Sequence, residues 1–125
     1  MALQVLEQSD AETMERLCEL IVPGSRRVGP VLYVDALLAG MPPPVRDWGL
    51  GAIRMLASAA EQGAEALAEH ARTAEFGFVR ALAIEAYYSD FVEPGRNATG
   101  AWTEIDFNTP LATRLQKEWS WLGVA

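Results

Sequence analysis

The feature that most constrains the fold of this chain is a series of apolar stripes at helical spacing, each ended by proline or glycine. The first stripe begins at Met14 and repeats every three or four residues up to Ile21, which places its members on one face of an α-helix. Pro23 and Gly24 then end it, because proline disfavours helix in the residue before it and glycine tolerates positive φ. No segment alternates strictly for long enough to predict a strand, so the stripes favour an all-α fold.

The same pattern predicts the other helices and their ends. Ser9 and Glu12 have the spacing of a capping box and are expected to open the first helix. Further helices are expected over about residues 30–39, 45–62, 73–89 and 110–119, with a short helical stretch at 64–71. Residues 91–100 are rich in turn formers and lack the helical period. We therefore predict one domain over residues 1–125, with four to five helices and an irregular, aromatic-rich C-terminal region.

Charge and hydropathy exclude several classes of partner. The formal net charge is −7, and an acidic surface repels phosphate backbones and anionic lipid headgroups. No stretch of about 18 uncharged apolar residues is present, so no segment is expected to span a membrane. The first residues have neither a basic region nor a long apolar run, which argues against a signal peptide. We expect a cytoplasmic protein that binds neither nucleic acid nor membrane.

Candidate catalytic residues are few. His70 is the single histidine and Cys18 the single cysteine, so neither a multi-histidine metal site nor an internal disulfide can form. Cys18 lies in the first apolar stripe and is interpreted as a buried packing residue. We predict no catalytic, cofactor-binding or metal-binding residue in this chain.

Aromatic residues are concentrated towards the C-terminus and suggest a surface that binds another protein. Those that follow Ile84 are Tyr87, Tyr88, Phe91, Trp102, Phe107, Trp119 and Trp121. Some must pack the irregular region onto the helices, but tyrosine, tryptophan and arginine are also enriched where proteins bind one another. The predicted partner-binding residues are Tyr87, Tyr88, Arg96, Asn97, Trp102, Trp119 and Trp121.

Three short motifs, in order, resemble the gluconate 2-dehydrogenase subunit 3 family. The peptide LCELIVPG at 17–24 resembles the family's first helix, which ends in Ile-Ile-Pro, and VDALLAG at 34–40 resembles its next helix. EAYYSD at 85–90, followed by GRN at 95–97 and GAW at 100–102, resembles its segment of Glu-Gly-Tyr, Tyr-Gly-Gly-Asn and Trp. This chain has Gly95-Arg96 where the family has paired glycines. The resemblance covers about residues 10–108.

The resemblance implies a function through a partner. Members of that family are non-catalytic small subunits of dehydrogenases whose large subunit is a flavoprotein of the glucose-methanol-choline type, acting on sugars or sugar acids. It implies that this chain binds and stabilises such a subunit, and that FAD lies in the partner. Family members commonly carry a twin-arginine export signal, which this sequence does not show, so we expect a cytoplasmic pair.

Two other interpretations stay open at this point. The chain can be a stand-alone small enzyme or ligand-binding domain, with a pocket between helices formed by Tyr87, Tyr88, Glu85, Asp90 and His70. Alternatively it can be a homo-oligomeric structural protein whose aromatic surface is self-complementary. Turnover or ligand-induced stabilisation of the isolated chain would support the first, and a concentration-dependent mass would support the second.

Overall fold

A computed structural model describes residues 2–104 and 122–123, and these form an all-α domain, as predicted. The described residues contain no strand. The helices are α1 (Gln8–Ile21), α2 (Pro30–Ala39), α3 (Pro43–Met55), α4 (Ala57–Gln62), α5 (Ala64–Ala68), α6 (Ala74–Tyr88) and α7 (Ala101–Glu104), with a 3-10 turn at Ser25–Val28. The predicted helix over 110–119 lies outside the described residues.

Helix α6 is the centre of the domain. It packs against α1, α2 and α3, and its inward face is formed by buried residues at helical spacing, among them Val79, Leu82 and Ala86. The start of α6 is fixed by a neighbouring residue, because the Thr73 hydroxyl caps the helix by accepting a hydrogen bond from the Phe76 amide at 3.1 Å. Around this helix the fully buried side chains include Met14, Leu17, Tyr33, Leu38, Ile53, Leu56 and Phe91. One core therefore joins the four longer helices.

Cys18 belongs to this core, as predicted. The residue is fully buried and the thiol is free. Desolvation raises the pKa of the Cys18 thiol to about 12, and the nearby carboxylates of Glu15 and Glu19 add to the rise. The thiolate is therefore strongly disfavoured, and Cys18 is a packing residue rather than a nucleophile.

Two predicted helix boundaries are wrong. The first helix begins at Gln8, and the residue that caps it is Glu7, whose amide donates to Asp10 at 3.1 Å. Ser9 therefore lies inside α1, and the predicted Ser9–Glu12 capping box does not form. The predicted helix over 45–62 is divided at Leu56, where the backbone at φ −89°, ψ 0° separates α3 from α4. Leu56 is fully buried, so this bend turns α4 along the core.

Asp10 has a second role, because it also anchors α3 to α1. The Arg54 guanidinium donates to both Asp10 carboxylate oxygens at 2.9 Å. The Asp10 side chain is 4% exposed and that of Arg54 52%. The hydrogen bonds from Arg54, reinforced by the Glu7 amide, lower the pKa of Asp10 against the opposing effect of desolvation. The ionised carboxylate is therefore the form that the fold stabilises.

This lowered pKa predicts a pH-dependent stability. The contribution of Asp10 is present above its unfolded pKa and is lost as pH falls through the lower folded pKa, so the loss occurs below about pH 4. Urea unfolding from pH 6 to pH 2.5 should show the wild type and Asp10→Asn converging in free energy of unfolding as the pH falls. A difference that stays constant over this range would contradict the assignment.

The N-terminal segment is held by a buried carboxylate on α2. Asp35 is 1% exposed and accepts hydrogen bonds from the amides of Gln4, Val5 and Leu6. These bonds keep Leu6 in the core, where it is 5% exposed. No sequence pattern indicated this role for Asp35.

The segment after α6 is irregular, as predicted, but it is tied to the helices at both ends. Its first half is fixed by the Glu93 amide, which donates to the Val28 carbonyl at 2.8 Å. Its second half ends at α7, whose Trp102 amide donates to the Asp90 carboxylate at 3.0 Å. Among residues 2–104 and 122–123, no helix is both long and apolar enough to cross a membrane.

Candidate functional site

Three of the predicted partner-binding residues are brought together, and the others are not. Tyr87 and Tyr88 end α6, and Trp102 on α7 folds back to them. Arg96 and Asn97 are exposed on the preceding irregular segment. Trp119 and Trp121 lie outside the part of the chain that the structure describes.

The two tyrosines border an open groove between the end of α1 and α6. We call it the tyrosine groove; it has a volume of about 420 Å³ and is lined by Ile21, Val22, Pro23, Arg80, Ile84, Tyr87, Tyr88 and Glu104. Aliphatic and aromatic side chains line it together with Arg80 and Glu104, which place one charge of each sign there, so its surface is polar and apolar in similar measure. Such a surface can take an apolar side chain and also form directed polar bonds at its border.

Tyr87 fixes one wall of the groove through a partly buried polar cluster. The Arg27 guanidinium donates to the Tyr87 hydroxyl at 2.5 Å and lies 2.7 Å from the Glu104 carboxylate. The Tyr87 hydroxyl in turn donates to Glu104. These bonds join the 3-10 turn, α6 and α7 at one point.

The electrostatics of Tyr87 favour a positioning role over a catalytic one. Desolvation, with the hydrogen bond to Glu104, raises the pKa of the Tyr87 phenol, although Arg27 opposes the rise. The phenol therefore stays protonated at neutral pH and serves as a donor to Glu104. Tyr87 is only 5% exposed, so it supports the groove and offers little surface to a partner.

Tyr88 is the predicted residue that presents most surface. It is 48% exposed, the largest value among the exposed large hydrophobic residues of the described chain. Its ring meets the Tyr87 ring edge to face, with centroids 5.1 Å apart and planes at 85°. Its backbone carbonyl accepts the Trp102 indole N–H at 2.9 Å. Tyr88 is thus an exposed aromatic side chain on a fixed backbone.

Trp102 differs from the expected exposed anchor. It is half-buried and packs against the small cluster of Val22, Val28, Tyr87 and Ala101. Its indole N–H and its amide are both used within the chain, by Tyr88 and by Asp90. Trp102 therefore holds α7 against the end of α6 and positions Tyr88.

Arg96 lies beside a different depression. The Arg96 guanidinium is 2.5 Å from the Glu93 carboxylate, and both side chains cover Gly29, where an added Cβ would lie 2.6 Å from Arg96 Nε. Gly29 has a φ of +67°, so both its backbone conformation and its close neighbours require glycine. Arg96 lines a cavity of about 290 Å³ with Glu12, Glu15 and Glu93 and does not line the tyrosine groove.

Several residues of the groove were not predicted. The sequence did not single out Arg80, Ile84 and Glu104, which line the groove, and it did not single out Arg27, which binds Tyr87 beside it. The glycines at 24 and 29, on either side of the 3-10 turn, are the local sequence signal for its backbone conformation. Both have positive φ. Nothing in the sequence indicated that Arg27 reaches Tyr87, because the two are 60 positions apart.

The alternative pocket is not assembled as predicted. His70 precedes α6, whereas Tyr87 and Tyr88 end it, and a helix of 15 residues is about 22 Å long. Asp90 is 2% exposed and accepts a hydrogen bond from the Trp102 amide. Glu85 accepts a hydrogen bond from the Tyr33 hydroxyl at 3.4 Å. Within the described ranges, no group of three or more His, Cys, Asp or Glu residues is placed to hold a metal ion.

Comparison with known proteins returned no match: no family model, no curated protein and no solved structure is similar to this chain at a significant level.

Proposed function

We propose that this chain is a non-catalytic small subunit that binds and stabilises a larger FAD-dependent oxidoreductase of the glucose-methanol-choline type, acting on sugars or related polyols and sugar acids. The observation that carries the proposal is Tyr88, an aromatic side chain 48% exposed beside an open groove of mixed polar and apolar surface. The motif order described above supplies the class of partner. FAD is expected in the partner, and a cytoplasmic location of the pair stays a prediction.

The preformed, rigid conformation of the groove supports a binding role. Association costs free energy when flexible side chains and loops must be ordered, so a surface fixed in advance binds more tightly. Here Trp102 holds the Tyr88 carbonyl and Tyr87 packs against the Tyr88 ring. Tyrosine is also among the residues that most often dominate the binding energy of protein interfaces. Tyr88 therefore has the chemistry and the support expected of an interface anchor.

A charged residue at the border of the groove, Arg80, can make binding specific for one partner. Arg80 lines the groove and makes no ion pair with another described residue. Its guanidinium can give several N–H donors to a carboxylate or carbonyl of the partner. A partner that inserts an apolar side chain between Ile84 and Tyr88, with an acceptor placed for Arg80, would fit this surface.

Stabilisation of the partner would follow from binding alone. A ligand that binds the folded form and not the unfolded chain stabilises it by RT ln(1 + [L]/Kd), about 2.7 kcal/mol at a concentration one hundred times Kd. No catalytic group is needed for this effect. The proposal therefore requires only a preformed surface.

A ligand-binding domain is the second candidate, and the size of the groove is the observation that favours it. A volume of about 420 Å³ lies within the range of small-molecule pockets. The groove is open to solvent, however, whereas such pockets usually enclose most of the ligand. A thermal-shift screen of sugars and sugar acids with the isolated chain would support this candidate if it raised the melting temperature.

Tyr88→Ala should weaken the complex with the flavoprotein by about 2 kcal/mol, which is roughly a 30-fold rise in Kd. About half of the Tyr88 surface is exposed in the free chain and none of its side-chain contacts lies in the main core, so the fold should remain intact when the ring is removed. The tagged chain and its variants are expressed in the native host, and the absorbance of co-purified flavin near 450 nm is measured. Trp48→Ala is the matched control, because Trp48 is equally exposed, at 45%, on a different helix.

The proposal has clear points of failure. A wild-type chain that purifies without flavin and without a larger partner would contradict the function. A yellow complex that Tyr88→Ala retains at unchanged affinity would leave the function standing but would contradict the placement of the interface at the tyrosine groove.

A further inference from the structure

The tyrosine groove holds an arginine whose charge no described carboxylate neutralises. The arginines of the described chain that form ion pairs are Arg16, Arg26, Arg27, Arg46, Arg54 and Arg96. Within residues 2–104 this leaves Arg72 and Arg80 without an ion pair, and Arg80 lines the groove. The Arg80 side chain is also exposed, so its guanidinium is open to a group from outside.

The acidic residue on the groove lining is bound elsewhere. Glu104 lies 2.7 Å from the Arg27 guanidinium and accepts a hydrogen bond from the Tyr87 hydroxyl. Tyr87 follows Arg80 by seven positions on α6, which is about 10 Å along the helix axis. The groove therefore has a neutralised carboxylate at its Tyr87 end and an unneutralised guanidinium at its Arg80 end.

Arg80, Ile84 and Tyr88 form one row along α6. They are four positions apart, so each is a neighbour of the next on the same helix face, about 6 Å along the axis. Side chains two positions apart in an extended peptide also share a face, at a similar spacing of about 7 Å. An extended segment with an apolar side chain and a polar one at that separation therefore matches the row.

The charge of the whole chain indicates which polar group belongs beside Arg80. Acidic residues outnumber basic ones by 17 to 10, and most described arginines are paired, so an unpaired arginine beside a groove points to a carboxylate supplied by a partner. A guanidinium binds a carboxylate through two parallel charge-assisted hydrogen bonds, which are stronger than its bonds to a neutral carbonyl. Elsewhere the net charge of −7 repels an acidic segment, so Arg80 also fixes where such a segment binds.

We propose that the tyrosine groove binds an acidic segment of the partner protein, with a carboxylate on Arg80 and, two positions away, an apolar side chain packed on Ile84 and the Tyr88 ring. This inference rests on the proposed function for the identity of the partner, and it adds the chemistry that the groove selects. Arg80 determines specificity for the carboxylate, and Tyr88 holds the apolar side chain.

Two blocked tripeptides, titrated into the purified full chain, test the proposal without any flavoprotein. They are phenylalanyl-alanyl-glutamate and phenylalanyl-alanyl-glutamine, each acetylated and amidated, so they differ only in the charge of the last side chain. Nuclear magnetic resonance shifts of the Ile84 and Tyr88 amides give the dissociation constants. The glutamate peptide should bind about fivefold more tightly, the upper range for an exposed ion pair. The preference should fade in about 1 M salt, which screens exposed charges.

Arg80→Gln should bring the dissociation constants of the two peptides to within about twofold of each other. Arg72→Gln is the matched control and should keep the preference, because Arg72 is likewise exposed and without an ion pair among the described residues but does not line the groove. In the native host, Arg80→Glu should lower the amount of flavin that co-purifies with the chain, and Arg72→Glu should not.

The outcomes separate this inference from the proposed function. A purified chain that binds neither peptide, or both equally, would overturn the inference, as would a preference that Arg72→Gln removes as fully as Arg80→Gln. A preference for the glutamate peptide in a chain that co-purifies with no flavoprotein would contradict the proposed function alone. A yellow complex that Arg80→Glu leaves at full strength would contradict the acidic segment but not the proposed function.

Discussion

Asp35→Ala should lower the free energy of unfolding by about 4 kcal/mol, the largest effect expected of any substitution considered for this protein. The Asp35 carboxylate accepts the Gln4 amide at 2.7 Å and the amides of Val5 and Leu6 at 3.0 Å each. Hydrogen bonds to a charged group contribute about 1.5–3 kcal/mol apiece, although released amides regain water and limit the sum. Detachment of the segment would also expose Leu6, which is buried in the core.

Urea unfolding followed by circular dichroism measures this loss. Asp35→Asn should be less harmful, because the amide keeps one carbonyl acceptor for the segment. Asp47→Ala is the matched control: Asp47 is on a neighbouring helix in an exposed ion pair with Arg46, and such pairs contribute about 0–1 kcal/mol. If Asp35→Ala cost no more than Asp47→Ala, the N-terminal segment would not be anchored as described.

Gly100→Ala should cost about 3 kcal/mol and should also weaken the proposed complex. A Cβ at this position would overlap the Asp90 carboxylate and would lie 3.1 Å from the Asp90 carbonyl. Asp90 is 2% exposed and has a φ of +67°, so it cannot easily move aside. Its displacement would break the bond to the Trp102 amide and free Trp102 from the Tyr88 carbonyl.

Two readouts separate this effect from a general loss of stability. Near-ultraviolet circular dichroism should report a change at Trp102 under conditions where the far-ultraviolet signal of the helices is retained. Gly77→Ala serves as the control, because it fills open space on a helix and should stabilise by about 0.5–1 kcal/mol. Wild-type stability and an unchanged tryptophan signal in Gly100→Ala would show that the Asp90–Gly100 contact does not constrain this loop.

The contact between Asp90 and Gly100 also explains part of the third motif of the family resemblance. Tyr88, Asp90, Gly100 and Trp102 stand within two of the peptides on which the family resemblance rests, those at 85–90 and 100–102. The structure joins them through a carboxylate, a glycine without room for a side chain and an indole N–H. Part of that motif therefore serves to fold the loop. Of the residues predicted to bind a partner, Trp102 is a support and Tyr88 is the exposed member.

Much of the fold could be predicted from local signals in the sequence. The stripe through Met14 and Cys18 identified α1 and the burial of the cysteine, and the Pro23-Gly24 pair marked its end. The start of α6 near Thr73 followed in the same way. These features depend on residues within one or two turns of each other, where helical periodicity, caps and breakers act.

The tertiary structure alone decided which residues meet. Arg27 reaches Tyr87 across 60 positions, and Asp35 reaches Val5 across 30; neither pair leaves a periodic pattern. Trp48 shows the same limit, because nothing local in the sequence indicates that the packing of α3 against α6 leaves it 45% exposed. Local propensity determines where a helix forms and which face is apolar. The angles at which the helices pack determine how much of that face is covered and which distant side chains come into contact.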